Sequence, residues 1–170
     1  MPNDPRPRRR SLRLPGYDYS QAGAYFITAC TQNRVMRFGE VIDGDVRQNE
    51  MGTIVQQTWD ELPAHYNGID LDAFIVMPNH VHGIITLADQ SERRHAIPEI
   101  VRGFKTLSAR RVNEHAGTRG VGWQRGYYEH VIRNEKALDR IRAYIANNPA
   151  RWADDPENIS RAVSAETGRV

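Results

Sequence analysis

"FIVMPNHVHGIITL", residues 74–87, decides how this chain is read. Apolar runs flank the turn signal Pro78–Asn79, which predicts a hairpin: a strand over 71–77 and a returning strand over 80–87. Side chains two apart on a strand share a face. Val81, Gly83, Ile85 and Leu87 then form a core face, while His80, His82, Ile84 and Thr86 share the other. Two imidazoles thus sit on one strand, inside the most apolar run of the chain. A buried imidazole without a partner is costly. Either both are satisfied within a core, or they face a group that wants two nitrogens, such as a divalent ion. Two histidines one residue apart are too short a pattern to choose between these. A zinc hydrolase would need a third strong ligand, and no local spacing supplies one.

Working outward, "GAYFITACTQ" (23–32) reads as a strand and "RQNEMGTIVQQTWDELP" (47–63) as a helix stopped by Pro63. "IPEIVRGFKTLSARRV" (97–112) has the spacing of a second amphipathic helix, and "GWQRGYYEHVIR" (122–133) that of a strand. "NEKALDRIRAYIANNP" (134–149) reads as a third helix, with Asn134 as N-cap and Pro149 as terminator. The order β-α-β-β-α-β-α predicts an α+β fold: an antiparallel sheet with packed helices, in the ferredoxin-like or RNA-recognition style. Many unrelated functions use that architecture. Residues 1–15 read as a basic flexible arm, 16–152 as one domain, and 153–170 as a weakly structured tail.

The 170 residues are 39% apolar and 26% charged, which suits one domain with a real core. No apolar run reaches membrane-spanning length and no signal region opens the chain, so a cytoplasmic protein with no membrane partner is expected. The single cysteine, Cys30, excludes a cysteine-based zinc cluster and reads as a small strand residue. A net charge of +2 does not announce a polyanion, but its distribution is uneven. "PRPRRRSLRLPG" gathers Arg6, Arg8, Arg9, Arg10 and Arg13 among prolines, which suits phosphate contacts or a solubilising tail.

On the third helix, Leu138, Ile141 and Ile145 define the buried stripe. Tyr144 and Asn148 stand one turn apart on its shoulder. They are either ordinary rim and helix-end residues or groups that meet the histidine face. Tyr127 and Tyr128 compete for any tyrosine role.

Four stretches together resemble the single-tyrosine HUH transposases, the IS200-like class, and in particular the REP-associated tyrosine transposases. They are "LRLPGYDYSQAGAYFITACTQNR" (12–34), "MPNHVHGI" (77–84), "VRGFKTLSARRVN" (101–113) and "WQRGYYEHVIRNEKALDRIRAYIANNPARW" (123–152). The resemblance implies a metal-dependent single-stranded DNA endonuclease and strand-transferase, acting on hairpin DNA through a 5′-phosphotyrosine intermediate. It maps the nucleophile to Tyr144. It maps the ligands of one Mg²⁺ or Mn²⁺ to His80, His82 and Asn148. Two imidazoles suit Mn²⁺ better than Mg²⁺.

DNA contacts are expected from the arm (Arg8, Arg9, Arg10, Arg13), from Arg102, Lys105, Arg110 and Arg111 of the second helix, and from Arg125. Tyr127 or Tyr128 would offer a stacking surface for unpaired bases. Adjacent residues on a strand point opposite ways, so at least one of the pair should pack in the sheet. A non-cleaving single-strand-binding module is the alternative, and a zinc hydrolase independent of Tyr144 is a third class. Monomer and homodimer both stay open.

Overall fold

The computed structural model describes residues 14–89, 95–120 and 122–159. Arg8, Arg9, Arg10 and Arg13 lie outside the described residues. The elements run β1 (Gly23–Cys30), β2 (Gly39–Ile42), β3 (Asp45–Gln48), α1 (Glu50–Asp60), α2 (Leu62–His65), β4 (Ile69–Val76), β5 (His80–Leu87), α3 (Ile97–Ala116), β6 (Tyr128–Ile132) and α4 (Glu135–Asn147). Four strands form one antiparallel sheet in the order β4-β5-β1-β6, and β2 and β3 form a separate hairpin. The α+β antiparallel fold expected from the sequence is therefore the one observed.

Several details differ from the sequence reading. Helix α1 ends at Asp60, and Pro63, expected to stop it, sits in the first turn of α2, where a missing N–H costs nothing. Residues 47–48 are not helical but end β3. Helix α1 starts where Asn49 caps it, the Asn49 side chain accepting a bond from the Gly52 N–H at 3.0 Å. The turn before β3 uses Asp43 and Gly44, both at positive φ (53° and 82°), the pairing a tight hairpin favours. The strand expected over 122–133 narrows to Tyr128–Ile132, with Trp123 making only an isolated bridge to Thr31. A 3₁₀ turn over Pro149–Asp154 follows α4 and runs into the start of the expected tail (153–170), where Asp155 is buried.

The sheet has two different faces. Tyr25, Ile27 and Ala29 of β1 and Val81, Ile85 and Leu87 of β5 pack with Val55, Trp59, Val101 and Phe104 of α1 and α3. This is the main core. Gly83 belongs to the same face. A Cβ there would sit 2.5 Å from a Trp59 ring carbon and 2.7 Å from one of Phe74, rings that stack at 4.2 Å. The opposite face is smaller: Phe26, Ile84 and Ile132 meet Ile145, with Leu138 and Ile141 of α4 packed alongside. Helix α4 is started by Asn134, whose side chain accepts from the Ala137 N–H at 2.9 Å. It is tied to β4 by Arg142, whose Nη2 lies 2.6 Å from Asp72 Oδ2. No helix among the described residues is long and apolar enough to cross a membrane.

Candidate functional site

The site begins with strand alternation. Register sets Cys30 opposite His80, Thr28 opposite His82 and Phe26 opposite Ile84. Both imidazoles thus point to the α4 side, near the end of β1. They are 0% and 3% exposed. Their Nε2 atoms face each other at 3.0 Å.

Hydrogen bonding fixes one of the two rings. The Asn79 amide donates to the carbonyls of Arg34 (3.0 Å) and Glu157 (2.7 Å), so its oxygen is the atom left facing His80 Nδ1 at 2.9 Å. An amide oxygen only accepts, so His80 Nδ1 carries the proton and Nε2 holds a lone pair. Thr28 Oγ1 lies 2.7 Å from His82 Nδ1 and orients the second ring. Burial lowers the pKa of His80 to about 4 against the opposing Asp155 carboxylate and Asn148 amide, and burial followed by the neighbouring His80 lowers that of His82. Neutral imidazoles whose Nε2 atoms converge on one point are suited to a divalent ion, which each binds through a lone pair.

Helix α4 brings the rest. Tyr144 is 42% exposed, its ring edge-on to His82 (5.2 Å) and to Phe26 (6.0 Å). Phe26 also stacks on His82 at 5.5 Å, so one buried ring braces both. Partial burial raises the Tyr144 pKa and the Asp155 carboxylate adds to this, while the Asn148 amide opposes it. One turn on, Asn148 is 3% exposed, and its Oδ1 is buried with no hydrogen-bond partner. An orphaned buried oxygen is rare in a native structure and calls for an explanation. An ion beside the histidines supplies one. His80, His82 and Asp155 each turn a donor atom inward, and the three atoms lie within 4.8 Å of one another. An imidazole pair, a carboxylate and an amide oxygen form a donor set that fits Mn²⁺ or Mg²⁺. A pocket of about 160 Å³ opens beside them, walled by Tyr144, Asn148, Arg151 and Asp155.

The expected DNA contacts are distributed unequally. Arg102, Lys105, Arg125 and Tyr127 line one groove of about 450 Å³ between α3 and the segment before β6. Trp123 lines it too, and Trp123 and Tyr127 pack against the α1/α3 core. The groove is thus on the face of the sheet away from the histidines, but at the same end. Lys105 has another task there. Its Nζ sits 2.7, 3.3 and 3.1 Å from the carbonyl oxygens of Gln124, Arg125 and Gly126, enough acceptors for all three ammonium protons. Arg111 bridges α3 to the end of α1, at 2.7 Å from Glu61 and 3.3 Å from Thr58 Oγ1. Arg110 is exposed and only loosely paired, 3.7 Å from Glu114.

The two tyrosines part as alternation requires. Tyr127 bonds Glu129 Oε2 at 2.7 Å on the groove side. Tyr128, 42% exposed, stands on the histidine side with its ring edge-on to Phe26 at 6.1 Å. Three neighbours of the histidines carry no sequence signal of that role. Asn79 has only the mark of a turn residue and Thr28 that of a strand residue. Asp155 follows no periodic element that could aim it.

Comparison with known proteins shows the family. Residues 22–148 match the family model described as "Transposase IS200 like". The chain belongs to the IS200-like transposase family, a family of DNA-processing enzymes. It is 38% identical over 168 residues to a functionally uncharacterized protein of Haemophilus influenzae, covering 86% of this chain and 91% of that one. A second Haemophilus influenzae protein, described as a candidate REP-associated tyrosine transposase, is 26% identical over 144 residues, covering 79% and 74%. Among solved structures, a REP-associated tyrosine transposase bound to a REP hairpin superimposes with a TM-score of 0.59 at 21% identity, over 89% of this chain and 85% of that one.

Proposed function

We propose that this protein is a REP-associated tyrosine transposase that cleaves and rejoins single-stranded DNA beside a hairpin, using Tyr144 as nucleophile and a divalent ion held by His80, His82 and Asn148. The observation that carries this reading is the convergence of two imidazole Nε2 atoms and a buried amide oxygen without a well-formed hydrogen bond, below an accessible phenol. When bound, Mn²⁺ or Mg²⁺ would withdraw charge from the scissile phosphate.

The chain's own residues supply the rest. The scissile phosphate enters the pocket walled by Tyr144 and Arg151. Tyr144 Oη attacks phosphorus, loses its proton and forms the Oη–P bond as the bond to the 3′ oxygen breaks. The strand leaves with a free 3′-OH, and the protein keeps a 5′-phosphotyrosine. The raised pKa of the phenol means that its proton must leave during attack rather than before it. Attack of a 3′-OH on the same phosphorus reverses the step and rejoins strands without ATP. Phe26 holds the Tyr144 ring against His82, which limits the approach angle.

Arg102 and Arg125 are proposed as phosphate contacts in the groove, with Tyr127 as its aromatic wall. Lys105 shapes the groove by pinning the loop over 124–126. Arg110 and the arm residues Arg8, Arg9, Arg10 and Arg13 add contacts that carry little sequence information. Arg111 serves the α1–α3 contact first. The test is to incubate protein and Mn²⁺ with a pool of single-stranded hairpins labelled 3′ of random sites, then sequence any DNA that becomes covalently attached. A protein–DNA adduct at defined sites supports the reading. Hairpin binding without cutting would favour a non-cleaving binding module, and cutting without an adduct would favour a metal hydrolase.

A further inference from the structure

We infer that Asp155 is a fourth protein ligand of the divalent ion, delivered by the chain elbow that follows α4 and clamped there by Asn79. The inference rests on the metal reading above and extends the site past the segment expected to end the domain.

The geometry is specific. Asp155 is 6% exposed. Its Oδ1 accepts from the Glu157 N–H at 2.7 Å, which fixes the carboxylate plane and leaves Oδ2 aimed at His80 Nε2, 3.8 Å away. That separation is too long for a hydrogen bond and falls between the spacings of neighbouring and opposite ligands around one ion, about 3.0 and 4.2 Å for metal–oxygen bonds of ~2.1 Å. The His80–His82 separation of 3.0 Å matches neighbouring ligands. A buried carboxylate facing neutral rings is costly unless a cation compensates it.

The elbow itself is anchored to the histidine strand. Asn79 Nδ2 holds the Glu157 carbonyl at 2.7 Å while Asn79 Oδ1 holds His80 Nδ1, and Arg34 Nε meets Glu157 Oε2 at 2.7 Å. One amide side chain thus sets both the tautomer of the first ligand and the position of the last. A carboxylate also shifts the donor set toward the harder ions, Mn²⁺ and Mg²⁺.

The test measures Mn²⁺ affinity of the full-length protein by loss of the free-ion EPR signal, independently of any DNA chemistry. Asp155→Asn keeps the shape and the Oδ1 acceptor but loses the charge. It should weaken Mn²⁺ binding by at least ~10-fold, since even outer-shell partners of metal ligands carry that much. Asp155→Glu, which keeps the charge, should recover part of the loss. Melting of each variant in EDTA checks folding. Unchanged affinity in Asp155→Asn, with affinity lost in His80→Ala, would overturn the inference and leave the metal reading standing. Unchanged affinity with cleavage lost would reassign Asp155 as the group that takes the Tyr144 proton. No Mn²⁺ binding by the wild-type protein would overturn the metal reading itself.

Discussion

At the scale of the residue, Tyr144 is a side chain with little structural duty and a large proposed chemical one. Its ring touches His82 and Phe26, but 42% of it is exposed. Tyr144→Phe removes one oxygen and keeps those ring contacts, so stability should stay within about 0.5 kcal/mol of wild type. Cleavage should fall by orders of magnitude, because the variant has no nucleophile to form the intermediate. On a denaturing gel with DNA labelled 3′ of the cut, wild type should show a retarded protein–DNA band and Tyr144→Phe none. Tyr127→Phe and Tyr128→Phe should keep the band; its loss in either of them, with persistence in Tyr144→Phe, would move the nucleophile. Asn148 behaves differently. Its oxygen is buried without a well-formed hydrogen bond, so the side chain gains little from protein neighbours at that atom. Asn148→Ala should leave the metal-free protein close to wild type in urea unfolding while Mn²⁺ protection against unfolding shrinks. Equal protection of both proteins would remove Asn148 from the ligand set.

At the scale of the element, α4 and its C-cap carry two of the proposed functional residues, Tyr144 and Asn148. Its start depends on the Asn134 cap. Asn134→Ala should cost about 1 kcal/mol in urea unfolding and raise local hydrogen exchange at the first turn. Its outer face is tied to β4 by Arg142 and Asp72. The Arg142 guanidinium, together with the Ala73 N–H, holds the Asp72 carboxyl below its ordinary value of 3.8. A carboxyl depressed in the folded state contributes stability above its unfolded pKa, and that contribution is lost as pH falls through the folded value. Wild type should therefore lose this increment below about pH 4, and Asp72→Asn should lack it at every pH. The pair is substantially exposed, so the effect should be small at neutral pH and smaller still in high salt. A difference between the two proteins that does not narrow on acidification would rule out this charge as its source.

At the scale of the whole molecule, the sheet separates two jobs. The histidines, Tyr144 and Tyr128 lie on the α4 face, while Arg102, Arg125 and Tyr127 lie on the α3 side of the same end. A strand held in the groove has to pass the β6 end to reach the phenol. Replacing Arg102 and Arg125 together by glutamine should weaken binding to all single strands and lower the salt slope by about 2, roughly one per lost phosphate contact. Cleavage at saturating DNA should be retained. Unchanged affinity and slope would make the groove irrelevant to DNA, and a loss confined to saturated cleavage would join it to the chemical site.

How much of this was legible before the fold depends on the range of the interaction involved. The β5 alternation placed His80 and His82 on one face because a strand repeats every two residues, and the Tyr144–Asn148 spacing put both on one helix shoulder because a turn takes ~3.6. Asn134 as a cap and the ends of β5 were equally local. The β2–β3 hairpin was within reach as well, since Asp43–Gly44 is a strong turn pair, but the helical spacing that follows drew residues 47–48 into α1. Other features had no local signature. That Lys105 is consumed by three carbonyls twenty residues on, and that Arg111 turns to Glu61, follows from how α3 packs. The closure of the site by Asp155 follows from Asn79 bonding a carbonyl 78 residues away. The sequence determined the proposed chemical groups and the faces they occupy, because those follow from periods of a few residues. Only the tertiary structure decided which groups meet and which charges are already spent, because those depend on contacts between segments whose separation no local pattern encodes.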